Sequence, residues 1–283
     1  YTESQVRTAF PKTILEMSQI GTPDEDKTIY VWAAGNAGGY ADQGVNYFHP
    51  ELLPGMAYFI EEIQGHSIAV VSVDEDGQIS DFSSLCGVSK DYCIAAPGGS
   101  VNVAYPTSAD DYGIYTGDTT DPDYNSCVED NSCYAAAGGT SFAAPFVTGG
   151  LAVMAQYFEG QLGNTELVSR LFTTANKNGV YNNPEIYGQG LMDLAAATAP
   201  VGQVSAMLGN SLSGPMTSAA FTSIHLTNPS FGDSISRGIN NETVIFFDEL
   251  QAPFRRPLAG IISDYRNQIM NLNGYDEMDN YNT

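Results

Sequence analysis

The sequence has 283 residues, of which 33 are acidic and 10 are Lys or Arg, so its formal net charge is −23. This acidic excess argues against nucleic-acid binding, because few cations are available to neutralise phosphates. We interpret it as an adaptation to solubility or salt, although it could also attract basic peptides. The hydrophobic content of 43% suffices for a sizeable core, and no apolar run is long enough to span a membrane.

The first part of the chain alternates predicted helices with apolar strands. A helix is predicted over residues 5–20, with Pro11 either weakening it or marking its true start. Strands are predicted over residues 28–34, 67–73 and 92–96, the first of them buried on both faces. Such βα alternation indicates an α/β fold with a largely parallel sheet.

Asn36 follows the first predicted strand directly, at the end where open α/β sheets place their sites. The segment Asp74-Glu75-Asp76-Gly77 has its glycine too early for an EF-hand calcium loop, and a tight turn is predicted instead. Residues 105–132 form a polar excursion, which either shapes a cleft or is an ordinary solvated loop.

Ser141 lies in the small-residue string Gly138-Gly139-Thr140-Ser141-Phe142-Ala143-Ala144-Pro145-Phe146-Val147, at the start of a helix predicted over 140–158. Unpaired N–H groups and the positive end of the helix dipole favour a developing anion there. Asn164 or Thr165 is predicted to cap the next helix, and Asp193 a last short helix that stops at Pro200.

Four cysteines form two close pairs, Cys86/Cys93 and Cys127/Cys133. Neither pair has Cys-x-x-Cys spacing and no histidine is near, so a metal site is not expected. Disulfides in an oxidising compartment fit better. Four cysteines allow three pairings, and the short spacing favours the two local ones.

Two strings carry a family resemblance. Gly139-Thr140-Ser141-Phe142-Ala143-Ala144-Pro145-Phe146-Val147 resembles the nucleophile motif of subtilisin-like serine proteases, and Ala33-Ala34-Gly35-Asn36 resembles their oxyanion-hole motif. The resemblance extends over roughly residues 5 to 200. It implies a three-layer subtilisin-like α/β fold, present in part.

The resemblance also implies a role for each matched residue. Ser141 is the expected nucleophile and Asn36 the expected oxyanion-hole donor. Protein or peptide substrates are expected partners, and no cofactor is implied as a requirement; nothing in the sequence supports a structural calcium ion. The expected substrate-binding residues are Ala33, Ala34, Gly35, Gly139 and Thr140.

The family pattern is incomplete in this sequence. The family's catalytic Asp and His precede its asparagine, yet the residues before Asn36 contain neither the Asp-Thr-Gly nor the His-Gly-Thr-His motif. His66 follows the asparagine and is therefore assigned a structural role. We expect a fragment whose Asp and His lie outside this sequence and which is inactive by itself.

Three regions are predicted: residues 1–200, the C-terminal part of a peptidase domain; 201–262, a β-rich linker whose clearest strand is 243–247; and 263–283, a disordered tail. At Pro200-Val201-Gly202, Phe231-Gly232-Asp233 and Phe247-Asp248-Glu249-Leu250 the linker sequence resembles that of bacterial autotransporter subtilases. This resemblance implies secretion or cell-surface exposure and a full-length protein anchored through an outer-membrane β-barrel.

Two other functions stay open. The chain could be a non-catalytic relative that keeps the fold as an extracellular binding or adhesion surface. A remote alternative is an esterase, because Gly232-Asp233-Ser234-Ile235 resembles the nucleophile word of the GDSL hydrolases. No histidine follows that word to act as a base, and no Gly-x-Ser-x-Gly elbow is present.

Overall fold

A computed structural model describes residues 1–19, 27–104, 134–207, 216–218, 224–225, 243–257 and 262–263. The chain divides into two compact units, Tyr1–Thr198 and Ala199–Thr283. Within the described ranges, no helix is both long and apolar enough to cross a membrane.

The first unit contains helices joined to short strands. The α-helices are α1 (Glu3–Ala9), α2 (Pro11–Gln19), α3 (Thr140–Tyr157), α4 (Asn164–Thr174), α5 (Pro184–Tyr187) and α6 (Leu194–Ala197). The 3-10 helices cover Ala37–Gln43, Met56–Tyr58, Glu61–Ile63, Gly87–Tyr92 and Gly179–Asn182. The strands are β1 (Tyr30–Ala33), β2 (Ser67–Val73), β3 (Cys93–Pro97), β4 (Val101–Ala104) and β5 (Tyr134–Ala137).

The central sheet is parallel and has the order β1-β2-β3, which confirms the predicted α/β class. Every residue of β2 is buried, as a continuous apolar run predicts. The residues of β1, in contrast, are only half-buried. The prediction that this strand is buried on both faces was wrong, because β1 is the edge of the sheet that the described residues form.

The N-terminal segment forms two helices and not the single predicted one. The first helix ends at Ala9, and Pro11 begins the second, since proline lacks the N–H that a helix interior requires. Both helices bury their apolar residues against the 56–63 segment. That cluster consists of Val6, Ile14, Met17, Met56, Ala57, Ile60 and Ile63, with Tyr30 and Trp32 of β1 packed against it.

Helix α3 packs against all three strands of the parallel sheet. Helix α4 follows it. The prediction that Asn164 or Thr165 caps this helix was wrong. The N-cap is Gly163, whose N–H donates to the Glu166 carboxylate at 2.7 Å. The Asn164 side chain donates instead to the Lys27 carbonyl. This tertiary hydrogen bond replaces the predicted capping of α4 by Asn164. The predicted Asp193 cap of α6 is confirmed, at 2.9 Å from the Ala196 N–H.

Gly98 joins the ends of β2 and β3 to the segment that enters α3. Its N–H donates to the Val73 carbonyl at 3.0 Å, and its carbonyl accepts from the Gly139 N–H at 2.9 Å. A Cβ atom at Gly98 would lie 2.9 Å from the Ala143 nitrogen, which is closer than packed atoms approach. The absence of a side chain therefore allows the start of α3 to lie directly on the sheet.

Cys86 and Cys93 form a disulfide with a Cα–Cα distance of 5.7 Å, as predicted. Both cysteines are fully buried; Cys86 precedes the 3-10 helix 87–92, and Cys93 follows it as the first residue of β3. The predicted tight turn at Asp74 is also present, because the Gly77 N–H donates to the Asp74 carbonyl and Gly77 has φ 74°. Cys127 and Cys133 lie outside the described residues, as does the polar excursion 105–132, so their pairing stays a prediction.

In the second unit, strands β6 (Ser205–Met207), β7 (Met216–Ser218), β9 (Thr243–Phe247) and β10 (Pro253–Pro257) form a sheet of order β10-β9-β6-β7. Strands β8 (Ile224–His225) and β11 (Ile262–Ser263) pair separately in parallel. The carboxylate of the buried Asp248 holds the β9–β10 turn, since it accepts from the N–H groups of Leu250 and Ala252. It also accepts from Val201 at 2.9 Å. Residues 264–283 lie outside the described residues.

Replacing both Cys86 and Cys93 by alanine should lower the free energy of unfolding of the first unit by about 2 to 3 kcal/mol at most, because the short ring no longer restricts the unfolded chain. Urea unfolding under non-reducing conditions measures this. Peptide mapping without reductant should recover Cys86 linked to Cys93; recovery of free thiols or of crossed pairs would contradict the assignment.

Gly98→Ala should destabilise the first unit by about 1 to 3 kcal/mol, since the added methyl group meets the backbone at Ala143. Gly149→Ala is the matched control, because a Cβ there has no atom within 4 Å. Alanine is preferred over glycine in a helix, so this control should stabilise by roughly 0.5 to 1 kcal/mol. If chemical denaturation shows that both substitutions change the free energy of unfolding in the same direction, this account of the sheet–helix junction is wrong.

Candidate active site

The strand end that carries Asn36 is fixed by its backbone. The Ala34 N–H donates to Val70 of β2, and the Ala34 carbonyl accepts from Glu51 at 2.8 Å. The Gly35 carbonyl accepts from the Ser84 N–H at 2.9 Å. Gly35 has φ 117°, a conformation that L-residues with side chains rarely adopt. The chain thus turns sharply after β1, and Asn36 is presented as an exposed side chain.

The Asn36 side chain is held by Thr140, at the first turn of α3. Asn36 Oδ1 accepts from both the backbone N–H and the hydroxyl of Thr140, each at 3.0 Å. The hydroxyl in turn accepts from the Gly35 N–H at 3.2 Å. Since the N–H of Thr140 can only donate, the amide oxygen must face Thr140. The amide nitrogen, Nδ2, therefore faces away from Thr140.

Ser141 follows Thr140 and its side chain is exposed. Other N–H groups of the first turn of α3 have acceptors, since Thr140 donates to Asn36, and Phe142 and Ala143 donate to the Gly139 carbonyl. Among the described residues, the Ser141 N–H has no acceptor and Asn36 Nδ2 donates no hydrogen bond. These are two adjacent donors that are free to bind an oxygen atom.

Gly139 leaves open the space that both donors border. A Cβ placed on Gly139 would lie 3.6 Å from Asn36 Nδ2 and 3.7 Å from the Ser141 nitrogen. The absence of a side chain keeps this space accessible to another molecule. Because it lies at the N-terminus of an 18-residue helix, the helix dipole favours negative charge in it. The arrangement suits an anionic oxygen next to the Ser141 hydroxyl.

The other predicted substrate-binding residues, Ala33, Ala34 and Gly35, lie at the end of β1. Ala33 is half-buried in β1, whereas Ala34 and Gly35 are buried and use their backbone groups within the protein. The N–H and carbonyl groups of Ala34 and Gly35 already have hydrogen-bond partners within the protein. Their role in substrate binding stays a prediction.

His66 is a buried structural residue. Its ring nitrogens contact the carbonyl oxygens of Met17, at 3.2 Å, and Gln64, at 3.3 Å. Burial lowers the pKa of His66 below its usual range, although these two contacts oppose the shift. The neutral ring is thereby favoured in the folded chain. Across the described residues, no three His, Cys, Asp or Glu side chains are arranged to hold a metal ion.

Sequence reasoning missed two residues that contact the strand end. Ser84 accepts from the Ala37 N–H at 3.4 Å and donates its own N–H to Gly35. Glu51 lies so close to Gly35 that a Cβ there would be 2.7 Å from its Oε1. Phe82-Ser83-Ser84 resembles a family segment without a predicted site role, and no spacing rule points to Glu51, so only the fold shows these contacts. The esterase-like word at 232–235 lies outside the described residues.

Comparison with known proteins shows the family to which the first unit is similar. The model of the Subtilase family matches residues 3–190. Serotype-specific antigen 1 of Mannheimia haemolytica is 33% identical over 173 residues, which are 60% of this chain and 16% of that protein. An extracellular serine protease of Serratia marcescens is 29% identical over 170 residues, 60% of this chain and 15% of that protein. The chain therefore spans about one sixth of the length of these relatives.

A solved structure with a similar chain is the epidermin leader peptide processing serine protease EpiP of Staphylococcus aureus. It shares 22% identity over 61% of this chain and 40% of that chain, with a TM-score of 0.39. The family match covers most of the first unit, including the strand end at Asn36 and the helix start at Ser141. This chain belongs to the subtilase family.

Proposed function

We propose that this chain is part of the catalytic domain of a secreted serine endopeptidase, with Ser141 as nucleophile and Asn36 as oxyanion-hole donor. One observation carries the proposal: Thr140 orients the Asn36 amide so that Nδ2 and the Ser141 N–H border the same open space. Two such donors beside a nucleophilic hydroxyl are what acyl transfer requires.

The proposed reaction proceeds through an acyl-enzyme. Ser141 Oγ bonds to the scissile carbonyl carbon while its proton passes to a histidine base, and the carbonyl oxygen becomes negative. Asn36 Nδ2 and the Ser141 N–H donate to that oxygen. The C–N bond then breaks, and the amine leaves with the proton from the histidine. Water attacks the ester carbon by the same steps in reverse order, which releases the acid and restores Ser141.

The histidine and the aspartate that orients it are proposed to come from a part of the protein outside this sequence. This is consistent with the small share of the relatives' length that the chain covers. A serine hydroxyl without a base is a weak nucleophile at neutral pH. We therefore expect the 283-residue chain alone to be inactive, and its function to appear only in the longer protein.

Export is supported by two observations. The Cys86–Cys93 disulfide fits an oxidising compartment. One relative is named an extracellular serine protease and another a serotype-specific antigen. We propose an extracellular or cell-surface location with protein or peptide substrates, and anchoring at the outer membrane in the manner of autotransporter subtilases.

The central test uses a fluorophosphonate probe, which labels activated serines. The 283-residue chain should not be labelled and should cleave no protein substrate. The full-length protein should be labelled at Ser141, and Ser141→Ala should abolish both labelling and cleavage. A full-length protein that folds but is neither labelled nor active would support the non-catalytic binding protein instead. Full activity in Ser141→Ala would overturn the mechanism.

Asn36→Ala in the full-length enzyme should lower kcat by roughly 10² to 10³, which is about 2.7 to 4 kcal/mol; this magnitude was measured in subtilisin, a member of the same family. KM should change much less, because the amide acts mainly on the transition state. Steady-state kinetics separate the two effects. A loss confined to KM would refute the oxyanion role of Asn36.

Thr140→Val should reduce kcat by about five-fold, because it removes one of the two hydrogen bonds that orient Asn36, worth about 1 kcal/mol. Thr140→Ser keeps the hydroxyl and should recover most of this loss. Thr148→Val is a control in the same helix, since its hydroxyl donates to the Ala144 carbonyl within the helix, and it should leave kcat unchanged. Equal losses in the valine and serine variants at 140 would show that the hydroxyl does not act through Asn36.

A further inference from the structure

A carboxylate lies unexpectedly close to the oxyanion donors. The side chain of Glu51 packs against the α-carbon of Gly35, since a Cβ on that glycine would lie 2.7 Å from both Cγ and Oε1 of Glu51. Gly35 immediately precedes Asn36, and its N–H is bonded to Thr140. The carboxylate is thus held beside the strand end that bears Asn36.

The position of Glu51 is fixed by its own backbone. Its N–H donates to the Ala34 carbonyl at 2.8 Å, and its carbonyl accepts from the Gly55 N–H at 2.9 Å. The side chain is nevertheless exposed, and within the described ranges the carboxylate has no hydrogen-bond or ion-pair partner. A rigidly placed, unpaired carboxylate is available to a cationic group of another molecule.

There is also room for a long side chain beside Glu51. The carboxylate borders a cavity of about 490 Å³ whose walls include the aromatic residues Tyr58 and Phe59. Aromatic walls suit the methylene stem of a lysine or arginine and can also contact its charged head. Ser89 lines the same cavity, and its buried hydroxyl has no partner in the described part of the chain. It offers a second hydrogen-bond acceptor.

We infer that Glu51 makes this enzyme prefer a lysine or arginine on the acyl side of the scissile bond. The scissile carbonyl oxygen is expected to lie between Asn36 Nδ2 and the Ser141 N–H. The side chain of the substrate residue that carries this carbonyl begins only a few bonds from the carbonyl oxygen. Glu51 lies against Gly35, which precedes Asn36 in the chain, and its carboxylate is the charged group that we assign to this side chain. This inference rests on the proposed protease function and names the substrate class of the same site.

The test measures kcat/KM of the full-length protein on peptides that differ only in the residue before the cleaved bond: arginine, lysine, leucine or glutamate. The arginine and lysine peptides should be preferred over leucine by about ten-fold or more, as expected for a hydrogen bond between charged groups. Glutamate should be the poorest. High salt should reduce the preference, because the carboxylate is exposed to solvent.

Glu51→Gln keeps the shape of the side chain and removes its charge. It should lower kcat/KM for the arginine and lysine peptides by about ten-fold, whereas kcat/KM for the leucine peptide should not fall. Glu51→Lys should shift the preference toward glutamate. Glu16→Gln makes the same charge change on an exposed position of α2 and should alter none of the four values.

The outcomes separate this inference from the proposed function. Ser141-dependent cleavage that follows leucine as readily as arginine would overturn the role of Glu51 and leave the protease function intact. Equal losses on all four peptides in Glu51→Gln would also overturn it, since they would indicate a purely structural residue. Absence of any Ser141-dependent labelling or cleavage would overturn both proposals together.

Discussion

The bond between Asn36 and Thr140 is the constraint on which the site depends. It joins the end of an edge strand to the start of the longest helix of the described residues, across 104 positions of sequence. The contact does two things at once. It satisfies the N–H of Thr140, which otherwise has no partner within the helix, and it fixes which end of the Asn36 amide faces outward. A packing contact and a functional orientation therefore share the same hydrogen bonds.

Close approach of backbones is what makes that bond possible. At Gly98 and Gly139 the sheet loops and the helix start touch through main-chain atoms, at 2.9 Å between the Gly139 N–H and the Gly98 carbonyl. Gly38, two residues after Asn36, lies against the backbone of residues 81–83 in the same way. Each of these glycines removes a side chain where two segments must meet. Gly98 thus allows the sheet and the start of α3 to pack closely, and Gly139 leaves the space beside Ser141 open.

The parts of the fold that the sequence could predict are those set by local rules. The bounds of β2, the cap at Asp193 and the turn at Asp74 follow from an unbroken apolar run, a capping side chain and a well-placed glycine. The juxtaposition of Asn36 and Ser141 is set by no local rule; it is predicted by the family resemblance together with the βα alternation, which places sites at strand ends. The predictions were wrong where a contact distant in sequence determines the local structure. The apolar pattern of β1 does not show that it is an edge strand. Asn164 forms a hydrogen bond to Lys27 and not to its own helix.

Glu51 illustrates the same limit and has a chemical consequence. Its place beside Gly35 depends on how the connection between β1 and β2 returns to the strand end, which no spacing rule describes. An unpaired carboxylate beside Gly35 opposes the negative charge that develops at the neighbouring oxyanion donors. In the proposed enzyme a bound lysine or arginine would neutralise that charge. The cation would then help the transition state as well as the initial complex, so selectivity should be expressed in kcat in addition to KM.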